Sequence, residues 1–365
     1  MFLISLFLFS ALITFSVTPL VIKLARQHGF LDYPNRPHPA IIHTKPLPRG
    51  GGLAVLVGLI GCLTLISFVQ PSFDKRLLAI FIASFLIVLV GLADDKYDLN
   101  PYLRLLANFF TVLIVVGFGI GITSFHNPLG GNINLDIWRI SFSIPEFLPF
   151  AGLHSILVLA DIFALIWIVW IMNAINWSSG VDGQLSGIAF ISLSFIGFVA
   201  LRNLQTDPNQ LIVASLAFGA AGAFLGFLPW SFYPQRIMPG YGGSALAGFL
   251  IATLAILSGA KLATAFLVLA VPLVDSLWAI VRRLYQHRSP VWGDRQHLHH
   301  QLLKRGWSIP KIAFLYYALT AFFGLASLSL DSRGKLFAIA MVVVVLLSFI
   351  ISVGYLGRKV RNETT

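Results

Sequence analysis

Eleven apolar runs constrain what this 365-residue chain can fold into. They fall at about 2–24, 50–70, 77–93, 103–123, 152–172, 186–201, 211–228, 244–259, 262–282, 312–330 and 336–356. A helix needs about 20 apolar residues to cross a bilayer. The spacing therefore predicts an all-α, polytopic membrane bundle of about eleven transmembrane helices, one domain over 1–365. The least distinct divide is the short Ser258-Gly259-Ala260-Lys261 turn. Hydrophobic residues make up 57% and charged residues 11%, where soluble proteins carry roughly a quarter charged. That excludes a soluble enzyme, a disordered chain and a secreted disulfide scaffold. The single cysteine, Cys62, allows neither an intrachain disulfide nor a multi-thiolate metal site. No basic stretch precedes the first run, and Lys23 and Arg26 follow it. This reads as an uncleaved first helix rather than a signal peptide.

The net charge of +11 comes from 25 Lys and Arg against 14 Asp and Glu. In a membrane protein this reads as cytoplasmic anchoring, not as nucleic-acid binding. With the N-terminus outside and the C-terminus cytoplasmic, alternate connections hold 18 of the 25 basic residues inside. Seven of nine histidines are also inside: His28, His38, His43, His287, His297, His299 and His300. So are Asp32, Asp94, Asp95, Asp98, Asp182 and Asp294, whereas Asp74, Asp136, Glu146, Asp207 and Asp331 are scattered singly outside. Asp275 falls about two turns from the inside end of its run. No internal repeat is visible, which weakens a transporter reading.

Five segments gather on the inside face. Gly91-Leu92-Ala93-Asp94-Asp95 ends the third run. Adjacent carboxylates at a helix C-terminus repel each other and oppose the helix dipole, so a divalent cation or a basic surround must offset them. Asn173 and Asn176 share a helix face before Ser179-Gly180-Val181-Asp182-Gly183. An ordinary interhelical turn would use the same residues. Gly240-Tyr241-Gly242-Gly243-Ser244 opens an apolar run and can present N–H groups to a phosphate, or serve as loop chemistry. Asp294-Arg295-Gln296-His297-Leu298-His299-His300 is the strongest signal. Three histidines beside arginines suit metal or phosphate, and the basic surround favours anions over zinc. A basic juxtamembrane helix is the bland alternative. The loop from Asp32 through Arg36 and His43 to Arg49 adds further cations. Asp161 lies mid-run, where a carboxylate is costly and a functional candidate by default.

Taken together, the order and spacing of Asp32-Tyr33-Pro34-Asn35-Arg36, Pro48-Arg49-Gly50-Gly51-Gly52, Gly91–Asp95, Asn173–Gly183, the Gly-rich turn and Asp294–Leu303 resemble one family. It is the polyprenyl-phosphate N-acetylhexosamine-1-phosphate transferases of glycosyltransferase family 4, related to the phospho-N-acetylmuramoyl-pentapeptide transferases. The histidine segment is more similar to the N-acetylglucosamine 1-phosphate branch. The resemblance covers nearly the whole chain. It implies a multi-pass enzyme of the plasma (inner) membrane with a cytoplasmic, Mg2+-dependent site and a dimer as the family expectation. The reaction implied moves a sugar 1-phosphate, N-acetylglucosamine 1-phosphate or a related amino sugar, from a UDP-sugar to undecaprenyl phosphate. UMP is released, and the product initiates cell-wall, lipopolysaccharide or other surface-glycan synthesis. It also implies residue roles. Asp94 would assist or deprotonate the lipid phosphate, and Asp94, Asp95 and Asn176 would organise magnesium. Asn173, Asn176 and Asp182 would line the nucleotide-sugar site. His297, His299 and His300, with Asp294 and Arg295, would bind phosphate or sugar, and Arg36, His43 and Arg49 would add to substrate binding.

The chain also departs from the family pattern. Ser179 and Tyr241 stand where the family has aspartates, the second being its principal magnesium ligand. Tyr102 replaces a usual lysine, Asn108 a glutamine and Ser231 an asparagine. A phenol is neutral near pH 7 and a poor metal ligand by comparison. Two other readings therefore stand beside the transferase: a non-catalytic relative that binds polyprenyl phosphate or a partner, and a membrane transporter.

Overall fold

The computed structural model describes all residues except 37–41, 70–74, 128–130, 145–151, 260 and 364–365. His38, Asp74, Glu146 and Ala260 thus lie outside the described residues. Every one of the eleven apolar runs contains a helix. They are α1 (Phe2–Gln27), α2 (Gly51–Val69), α3 (Lys75–Tyr97), α4 (Pro101–Gly117), α5 (Val158–Trp177), α6 (Gln184–Arg202), α7 (Gln210–Ser231) and α8 (Gly240–Leu257). Then come the pair α9 (Lys261–Val268) and α10 (Ala270–Tyr285), and α12 (Ile309–Ser329) and α13 (Ser332–Glu363). A short α11 (Leu298–Lys304) lies between α10 and α12. Among the described residues, nine helices are long and apolar enough to cross a membrane. The ninth run is broken: α9 and α10 meet at 89°, which makes a tenth span only if the bent pair counts as one. The fourth run yields the 17-residue α4, shorter than those nine.

Helix α8 is the innermost span, with 83% of its apolar stretch buried inside the protein, against 22% for α13. It packs on α3 and α5, while α7 packs between α1 and α6. The α3–α8 crossing is close because a Cβ on Gly91 would collide with the backbone of Gly242. Small residues at such contacts let helix backbones approach where lipid offers no hydrophobic drive. This crossing sets the end of α3, with its two aspartates, against the start of α8.

Strands are few. β1 (Leu31–Asp32) pairs with β2 (Leu47–Pro48), closing the loop that carries Arg36 and His43. β3 (Ser124–His126) pairs with β4 (Asn132–Asn134), and β5 (Arg139–Ile144) with β6 (Gly152–Leu157). These last two pairs make two short ribbons between α4 and α5. β6 also takes the first residues of the fifth run, so α5 starts only at Val158. Asp161 then sits in the first turn of α5, not mid-helix, and accepts the Leu157 N–H at 2.9 Å. A carboxylate there complements the helix dipole, which explains it without a ligand.

Candidate functional site

The ends of α3, α5 and α7, the starts of α4 and α8, and the Asp32–Arg49 and Ser289–His300 segments surround a cavity of about 190 Å³. Its lining includes Arg36, His43, Arg49, Asp94, Arg104, Asn176, Asp294, His297, His299 and His300. Five sequence segments separated by spans thus meet in one chamber. Among the candidates from the sequence, Asp95, Asn173, Asp182 and Arg295 are not part of that lining.

The two neighbouring aspartates are turned apart. Asp94 faces the chamber: its Oδ1 accepts the Leu99 N–H at 3.1 Å and its Oδ2 accepts from Arg104 at 3.3 Å. Asp95 is buried beneath Gly240, where a Cβ would collide with its carboxylate. It pairs with Arg49 at 3.3 Å and accepts the Tyr241 N–H, a first-turn donor of α8, at 3.1 Å. The repulsion expected at the end of α3 is thus offset by two arginines and by the positive end of α8.

On the loop before the chamber, Asp32 accepts from His43 at 3.2 Å and faces Arg36 at 3.6 Å. Arg36 also donates to Asp98 at 3.0 Å, joining this loop to the end of α3. On the opposite side, Asn176 accepts from Ser244 at 2.7 Å. Asn173 instead donates to the Val169 carbonyl of its own helix. Asp182 accepts the Gln235 N–H at 3.1 Å. Burial raises its pKa above the usual carboxylate range, and that hydrogen bond pulls against the shift.

The histidine segment is held by two residues of α10, Asp275 and Arg283. Asp275 on α10 is buried; its Oδ2 meets His297 Nδ1 at 2.8 Å and its Oδ1 accepts the Leu298 N–H at 3.1 Å. Arg283 contacts His297 Nε2 at 3.3 Å, donates to Asp294 at 2.9 Å, and lies over the Trp177 ring at 5.2 Å. The spacing of 275, 282 and 283 along one helix was the available signal. Burial raises the Asp294 carboxyl, but the hydrogen bond and charge of Arg283, with Arg282, outweigh it and hold the pKa at about 2. His299 is buried, and neither ring nitrogen has a hydrogen-bond partner. Its Nε2 occupies the space that a Cβ on Gly180 would fill. Burial first, then His300 and His297, push its pKa well below 6.5; burial pushes that of His300 down to about 4. Both rings are therefore neutral near pH 7 and can donate or accept one hydrogen bond at each nitrogen.

Among the described residues, no three His, Cys, Asp or Glu side chains converge to hold an ion. Asp94 faces the chamber but is engaged by Arg104, Asp95 is turned away, and Asn176 is engaged by Ser244. Among the described residues, these donors do not converge on one ion position.

A chamber lined by arginines and neutral histidines at the end of an apolar bundle suits anionic groups presented at a membrane surface. A profile of glycosyl transferase family 4 matches residues 77–259, half of the chain and the part carrying α3 through α8. The chain belongs to glycosyl transferase family 4. Curated family 4 relatives match far beyond that segment. A probable undecaprenyl-phosphate N-acetylglucosaminyl 1-phosphate transferase of Bacillus subtilis is 29% identical over 332 residues, covering 89% of this chain and 84% of the relative. A decaprenyl-phosphate N-acetylglucosaminephosphotransferase of Mycolicibacterium smegmatis is 29% identical, covering 93% and 86%. An undecaprenyl-phosphate alpha-N-acetylglucosaminyl 1-phosphate transferase of Thermotoga maritima is 28% identical, covering 80% and 79%.

Proposed function

We propose that this family 4 protein transfers a sugar 1-phosphate from a UDP-sugar to polyprenyl phosphate and releases UMP, initiating a surface glycan or wall polymer. The observation that carries this reading is the chamber itself, which gathers Arg36, Arg49 and Arg104 with three histidines at one end of the bundle. The names of the relatives supply the substrate classes: undecaprenyl or decaprenyl phosphate as acceptor, and N-acetylglucosamine 1-phosphate as the group moved. The basic bias of the same connections supports a chamber on the cytoplasmic side of the plasma membrane.

In this reading an oxygen of the lipid phosphate attacks the sugar-bearing phosphorus. The bond from that phosphorus to the bridging oxygen breaks, and UMP leaves with the bond's electrons. Phosphoryl transfer of this kind needs positioning and charge stabilisation more than covalent help. Arg36, Arg49 and Arg104 bring the two anions together against their mutual repulsion. Asp94 fixes Arg104 and faces the attacking phosphate. Helix α4 turns Leu103, Leu106, Phe110 and Leu113 outward, an apolar stripe along which a polyprenyl tail reaches Arg104. His299 and His300 offer neutral hydrogen-bonding groups to the sugar or phosphate of the donor. Magnesium, where required, would enter with the donor's diphosphate, since magnesium is commonly held by one or two carboxylates plus substrate phosphates.

The test is transfer of labelled phospho-N-acetylglucosamine from UDP-N-acetylglucosamine to undecaprenyl phosphate by the purified protein, with magnesium present. Product is expected, with a loss of about 100-fold or more in Asp94→Asn. Tyr241 and Ser179 favour a second reading, a relative that binds the lipid phosphate without transfer. Lipid-phosphate binding with no product from any UDP-amino-sugar would select it.

A further inference from the structure

The departure at Tyr241 and the absence of a convergent metal cluster among the described residues have one geometric explanation. Arg104 reaches Asp94 Oδ2 at 3.3 Å and lies over the Tyr241 ring, 5.1 Å from its centroid. The Tyr241 hydroxyl donates to Asn108 Oδ1 at 3.1 Å. Arg104 and Asn108 are four residues apart on α4, so one face of that helix carries both partners of the tyrosine. The Tyr241 backbone N–H meanwhile donates to Asp95. The ring thus presents its negative face to a guanidinium and its oxygen to an amide. A carboxylate at 241 would compete with Asp94 for Arg104; a buried tyrosine supports the cation without adding charge.

We propose that Arg104, carried on Tyr241, is the resident cation of this site, in the role that a carboxylate-bound divalent ion would otherwise fill. It neutralises Asp94 and receives the lipid monophosphate, so that binding of the phosphate needs no divalent ion. Arginine suits this role because it stays charged, is planar and is weakly hydrated. The inference rests on the transferase reading for the identity of the ligand.

The experiment uses the full chain in detergent or nanodiscs, with two readouts besides turnover. Manganese binding is followed by electron paramagnetic resonance without nucleotide, and undecaprenyl-phosphate binding is measured in excess EDTA and in excess magnesium. The wild-type protein is expected to bind no stoichiometric manganese, and its affinity for the lipid phosphate should agree within about twofold between the two buffers. Arg104→Gln should weaken that affinity about tenfold or more in both buffers, and Arg104→Lys should weaken it less. One manganese per wild-type chain, or an EDTA-induced loss of about tenfold in lipid affinity, would overturn the inference while leaving the transferase reading intact. Unchanged binding by folded Arg104→Gln would do the same. If Arg104→Gln does not fold, the two wild-type measurements decide. Absence of lipid-phosphate binding in both buffers would overturn the transferase reading and the ligand named here with it.

Discussion

Asp275 shows how a residue can shape the chamber without lining it. Its two oxygens hold the His297 ring and the first N–H of α11, so it sets both which imidazole nitrogen carries hydrogen and where the helix begins. Asp275→Asn keeps the size but presents a different donor and acceptor pattern to His297. It should lower transfer about 10–100-fold, the range seen when an outer partner of a functional imidazole is lost. Lipid-phosphate binding, governed by the other side of the chamber, should change little; a kinetic comparison with a binding titration checks this. His300 gives a pH signature. Its pKa of about 4 lies below the ordinary 6.5, so the unfolded chain takes up a proton first as pH falls. Its contribution to stability is complete above pH 6.5 and is lost as pH drops toward 4, at up to about 1.4 kcal/mol per pH unit. Thermal midpoints between pH 7 and 4 should fall more in the wild type than in His300→Gln. Both partnerships were hidden in the sequence. Asp275 and His297 are 22 residues apart across a turn, and a carboxylate near the end of an apolar run does not name its partner.

Helices were more legible than pairings, because lipid imposes length and hydropathy on each span. All eleven runs became helical, yet two boundaries were not readable. The break between α9 and α10 falls among residues as apolar as their neighbours, so composition carries no mark of the 89° bend. The start of the fifth run pairs as β6 with β5, which moved Asp161 from mid-helix to a first turn. The α3–α8 crossing, by contrast, rests on glycines the sequence displays. Gly91→Val should force α3 away from α8 and destabilise the protein by about 1–3 kcal/mol. A lower thermal midpoint in detergent would show it, and Asp95, tied to the start of α8, would lose its support.

For the whole molecule, the expected alternation of eleven spans would put residue 138, before β5, and residue 287, after α10, on opposite sides of the membrane. Cys62 is the sole cysteine and is fully buried, so the wild-type chain supplies a quiet background. Trp138→Cys should react with an impermeant maleimide in intact cells, and His287→Cys only after the membrane is opened. The reverse pattern would put the chamber outside and remove it from cytoplasmic nucleotides. The ordering of segments around the chamber also governs how it is made. Residues 32–49 and 94–104 leave the ribosome long before 289–300, yet neither side makes a chamber alone. Until His297 is synthesised, Asp275 stands in a half-built bundle without that partner. The chamber is therefore complete only when the segment between α10 and α12 joins it.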